Sequence, residues 1–136
     1  MELQNLEFTL FVLKLAFAAF FAILFLQSGF DKLLNFRDNL SWLSGHFAQS
    51  PLAGFVPLLL ICITLTELCA GLLSACGLVQ LLVFRQASLA VWGNIGALLA
   101  LLCLFLGQRI AKDYAGAATL VGYFIAATAG LLVLSL

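Results

Sequence analysis

Glu67 is the only charged residue between Phe55 and Phe84. A carboxyl placed so deep in an apolar run is costly in hydrocarbon and must face other helices or a wet cavity. Its chemistry there is to hydrogen-bond, to hold a proton or to meet a cation. Thr64, Gly71, Ser74 and Leu78 share its face at three- and four-residue spacing, so that face is small and partly polar. It suits either a ligand or a close helix contact. The plainer alternative is a neutral structural glutamate bonded to a neighbouring helix.

A second polar group closes the preceding apolar run, in Gln27-Ser28-Gly29-Phe30-Asp31-Lys32. Asp31 and Lys32 can cap a cavity that holds Glu67. Gln27, one turn deeper, would extend a polar path inward. Both charges can equally be interface anchors, with Lys32 reaching toward headgroups along its apolar stem. A third group, Arg109, Lys112, Asp113 and Tyr114, falls on the same side of an up-down-up-down arrangement. Arg109 and Asp113 are candidates for the same mouth, whereas Lys112 reads as an ordinary loop cation. Trp92 and Tyr123 are candidates for lining a pocket for a planar ligand, and equally for core aromatics with a satisfied polar tip.

The four cysteines offer little redox chemistry. Cys62, Cys69 and Cys76 recur every seven residues, which spaces neighbours by about 10.5 Å along a helix. A disulfide needs Cα atoms within about 7 Å. The stripe also lies nearly opposite Glu67, so these thiols read as small apolar groups in packing or facing lipid. His46 stands alone, and no metal site is expected, because no second His or Cys has ligand spacing to it.

The elements that must position these residues follow from composition. Of 136 residues, 65% are apolar and 9% charged. Soluble domains average about 25% charged residues. A water-soluble fold of this size cannot hide so much apolar surface, so a lipid bilayer is the expected surroundings. Net charge is zero, which gives no electrostatic reason for a nucleic-acid partner. The start, Met1-Glu2-Leu3-Gln4-Asn5-Leu6-Glu7, is acidic where a signal peptide is basic, so the first apolar run reads as a retained span.

Crossing hydrocarbon takes about 20 helical residues, and four segments supply them, near 8–30, 55–80, 87–107 and 114–135. Helices are required because lipid cannot satisfy backbone hydrogen bonds or the edges of an open sheet. The expected fold is therefore an all-α, single-domain, four-transmembrane-helix bundle. Residues 31–50 mix Leu33, Leu34, Phe36, Leu40, Leu43 and Phe47 with polar residues, which predicts a short amphipathic interfacial helix with Trp42 at headgroup level. Gly29, Gly71, Gly93, Gly96 and Gly116 are expected to let helices pack closely. Lys32, Arg37, Arg109 and Lys112 lean loops one and three toward the cytoplasm.

Two stretches resemble hallmarks of the DoxX family of small membrane proteins. One is Phe25-Leu26-Gln27-Ser28-Gly29-Phe30-Asp31-Lys32-Leu33; the other is Glu67-Leu68-Cys69-Ala70-Gly71-Leu72-Leu73 followed by Gly77-Leu78. The pattern is Ser-Gly-x-x-Lys with Glu-x-x-x-Gly, and Gly29, Lys32, Glu67 and Gly71 match its positions, whereas Arg109–Tyr114 is not matched to it. The resemblance implies four membrane helices, the bacterial inner (plasma) membrane, and a subunit or quinone-binding element of a redox process, at most part of an oxidoreductase without a covalent cofactor. It also implies partners among membrane or redox proteins. Two other functions fit a chain of this kind: an assembly factor or chaperone docking other helices, and a small-solute transporter, which would need homo-oligomers.

Overall fold

The computed structural model describes residues 1–136 as helices joined by short turns. They are α1 (Glu2–Leu34), α2 (Phe36–His46), α3 (Val56–Phe84), α4 (Ser88–Ile110) and α5 (Tyr114–Ser135), with one 3-10 turn at Ala53–Phe55 before α3. The four long helices are each long and apolar enough to cross a membrane. The protein is thus an integral membrane four-helix bundle with a short helix between its first and second spans.

The helices outrun the expected spans. Residues 2–7 hold no proline or glycine, so nothing stops α1 from starting at Glu2. Its 33 residues extend about 50 Å, against a hydrocarbon core of about 30 Å. α3 continues four residues beyond the expected end at 80, to a left-handed Arg85 (φ 57°) that turns the chain into α4. Pro57 sits in the first turn of α3, where its missing N–H costs nothing.

α1 packs on α3, α3 on α4 and α4 on α5, with lighter contact of α1 on α4 and α5. The interior is built of small groups around a few rings: Phe21, Phe25, Ala70, Ala97, Ala100, Leu101 and Ala127 form its largest cluster. Only 24 of the 136 residues are buried, while Leu, Ile, Val and Phe side chains cover the outside. That inversion of the aqueous pattern fits a surface solvated by hydrocarbon.

Close approach explains the small residues. A Cβ at Gly71 would stand 2.8 Å from the Leu26 backbone nitrogen, and one at Gly93 would stand 2.7 Å from that of Ser74. Gly29 meets Leu68 and Gly96 meets Ala70 in the same way. Gly77, against the Ala90 backbone, belongs with them and was not among the expected packing glycines. Gly116, at the start of α5, meets α4 through a side chain rather than backbone. It lies against Asp113 and Gln108, within the cap of α5.

Candidate functional site

The inward face of α3 runs through Leu60, Thr64, Glu67, Gly71 and Ser74. Because α1 packs along this face, the residues of α1 that share a stripe with Gly29 and Phe25 meet it. Glu67 is 1% exposed and is met there by two side chains of α1. Lys32 Nζ lies 3.1 Å from Glu67 Oε2 and 3.4 Å from Oε1. Ser28 Oγ donates to Glu67 Oε2 at 3.0 Å and accepts from Lys32 Nζ at 2.8 Å. The carboxyl is thus bonded to a neighbouring helix, and by a lysine as well as a hydroxyl. It is one half of an ion pair, tied by a hydroxyl that bonds both partners.

The arrangement has a local cause. Ser28 and Lys32 are one helical turn apart, so they stand one above the other on the same face of α1. Gly29, between them, lets α1 sit close enough to α3 for both to reach Glu67. In the sequence Ser28 stands only as the first residue of the Ser-Gly-x-x-Lys pattern, with no role of its own, although its four-residue spacing to Lys32 is a signal.

Several expected site residues lie elsewhere. Gln27 is exposed on the outer side of α1, because one residue from Ser28 is about 100° of rotation. Asp31 is exposed too, and holds the joint between α1 and α2. Its Oδ1 accepts from Asn35 Nδ2 at 3.0 Å, and its backbone carbonyl accepts the Asn35 N–H. Trp92, 61% exposed, and Tyr123, near Phe20, are on the outer surface, away from the Lys32–Glu67 pair. Arg109 is exposed and lies over the Tyr114 ring, 4.5 Å from its centroid. Asp113 caps α5, accepting the Gly116 N–H at 2.8 Å. All four cysteines are free and exposed on the outer surface.

Loops one and three do meet at one mouth, but through His46. Its Nε2 is 2.8 Å from Gln108 Oε1 and 3.6 Å from Asp113 Oδ2. Since the amide oxygen only accepts, Nε2 carries the hydrogen. The ring stacks on Trp42 at 4.7 Å and meets Phe47 edge-on. This network fastens the end of α2 over the end of α4. The histidine had been set aside from the sequence because only metal binding was asked of it.

Beneath α2 lies a cavity of about 300 Å³ between α3 and α4. Most of its lining is apolar, from Leu43 and Phe47 above to Leu60, Ile63 and Leu104 on the walls. Lys32 and Gln108 are among its few polar members. Glu67 does not line it, so Lys32 is the link between the buried carboxylate and the cavity. Ligand pockets begin at about this volume and usually combine apolar walls with a few fixed polar groups.

A second polar pair is buried deeper. Asn94 and Ser74, each 1% exposed, make no side-chain hydrogen bonds. No protein-family model, curated protein or solved structure matches this chain.

Proposed function

We propose that this chain is a DoxX-like membrane subunit or binding element of a redox process in the bacterial plasma membrane, and that the Lys32–Ser28–Glu67 site receives the polar head of a quinone-class ligand. One observation carries the reading: a buried carboxylate is held to an ammonium that also lines an apolar cavity. A bound quinone supplies the oxidation and reduction. The protein's part is to position the head and exclude water. Lys32 donates toward a carbonyl oxygen, Glu67 balances the lysine charge inside the membrane, and Ser28 keeps the two in register. Electrons are exchanged with partner proteins.

The small-residue faces do not favour helix-docking chaperone activity, since Gly29, Gly71, Gly93 and Gly96 are used up inside the bundle. The test is quinone binding to purified protein in lipid nanodiscs, read by native mass spectrometry. Binding by the wild type that is lost in Glu67→Gln supports the proposal. Equal binding by both removes Glu67 from it.

A further inference from the structure

The cavity beneath α2 has a direction. α3 and α4 touch backbone to backbone where Gly93 meets Ser74 and Gly77 meets Ala90. Toward the other end those small residues give way to Leu60, Ile63 and Leu104, and the cavity lies between them. Cys62 and Cys103, which also line it, are exposed on the outer surface of the bundle. The cavity therefore opens sideways onto the apolar outer surface of the spanning helices. On the aqueous side it is covered by α2, fastened by His46 to Gln108. A ligand that reaches it must first dissolve in the bilayer.

The charge at its polar edge selects the head. Lys32 has three N–H donors. Ser28 takes one at 2.8 Å and Glu67 Oε1 takes another at 3.4 Å, leaving one for an occupant. The lysine charge is already balanced by a carboxylate in contact with it. An anionic head at Lys32 would bring a second negative charge next to Glu67 in a medium that screens poorly. A neutral oxygen acceptor meets no such repulsion. Gln108 adds a second donor, its Nε2, since its Oε1 is taken by His46.

We infer that this cavity binds a neutral, carbonyl-headed, single-tailed amphiphile that enters sideways from the bilayer. The head accepts from Lys32 and the tail lies between α3 and α4. This placement rests on the quinone-site reading above and goes further, by fixing the entry side, the tail path and the exclusion of anionic lipids.

The native cysteines make the test. Cys62 and Cys103 line the cavity, whereas Cys69 and Cys76 are equally free and exposed but do not. Wild-type protein in nanodiscs of neutral lipid is treated with N-ethylmaleimide, and labelling of each thiol is followed by peptide mass spectrometry. Decylubiquinone, whose ring is fully substituted, is the neutral probe, and oleate at pH 8 is the anionic one. The expected result is that decylubiquinone slows labelling of Cys62 and Cys103 several-fold, leaves Cys69 and Cys76 unchanged, and outdoes oleate. Uniform protection of all four thiols, no protection, or stronger protection by oleate overturns the inference. Quinone binding that is lost in Glu67→Gln yet gives no selective protection keeps the Glu67 site and overturns this placement alone. A Cys103→Phe variant, which fills the cavity without touching the ion pair, should bind decylubiquinone several-fold more weakly. Its folding is checked by thermal unfolding.

Discussion

Lys32 and Glu67 form an ion pair that joins α1 to α3, but its two ends are not equally buried: the lysine side chain is 17% exposed and the glutamate 1%. Removing one partner of a buried pair costs about 3–5 kcal/mol, because the other is left uncompensated. Lys32→Met strands the more deeply buried group and should reach that range. Glu67→Met should cost less, since the lysine can extend along its stem to the headgroups. Lys32→Met/Glu67→Met should recover most of the loss, as an apolar pair of similar volume often replaces a buried ion pair at little cost. Reversible unfolding in bicelles measures all three. A double variant as unstable as Lys32→Met would show that the pair is not coupled.

The four spans, the short helix between the first two and the inward turn of Glu67 were legible because each rests on a constraint the bilayer imposes on any chain. The partners of Glu67 were only half legible. In a soluble helix an apolar stripe marks the inner face and polar residues the outer one, but here both faces are apolar, and the inner one is marked by small residues instead. Read that way, Gly29 and Ala22 place Ser28 and Lys32 inward and Gln27 outward. Trp92 and Tyr123 mislead for the same reason: an aromatic ring is as well solvated by lipid as by a core. A Trp92→Leu variant should accordingly bind quinone as well as the wild type does, by the same mass-spectrometric measurement, whereas Lys32→Met should not.

Close approach makes a sharper stability forecast than polarity does. A side chain at Gly71 would press on the Leu26 backbone, which cannot swing aside. Gly71→Val should destabilise the protein by about 1–3 kcal/mol, the usual range for overpacking. Gly122 has open space where a Cβ would go. There Gly→Ala should stabilise by about 0.5–1 kcal/mol through helix propensity alone. Thermal unfolding of the two variants side by side separates packing from propensity, and opposite signs are expected.

Asp113 holds the start of α5 with one oxygen and approaches His46 with the other. Asp113→Ala should lose about 1 kcal/mol, the typical worth of an N-cap. It should also speed hydrogen exchange at the Gly116 amide and loosen α2. Asp113→Asn keeps an acceptor for Gly116 and should retain the cap while losing the charge that faces His46. If both variants exchange equally fast at Gly116, the cap is not what orders this turn.

Ser74 and Asn94 bury three polar atoms without a protein partner, at the seam where α4 meets α3 and α5. A buried hydroxyl without a hydrogen bond carries a desolvation cost of about 1–3 kcal/mol that nothing offsets. Ser74→Ala removes the hydroxyl and adds no volume, so the contact with Gly93 is kept. The variant should therefore be more stable than the wild type by about 1 kcal/mol. Asn94→Ala removes two unpartnered atoms, Oδ1 and Nδ2, but leaves a space beside Gly130 and Phe17, so its gain should be smaller or absent. Unfolding of both variants in bicelles decides. A marked loss of stability in Ser74→Ala would mean that this hydroxyl has a polar partner in the membrane and that the seam is a second site.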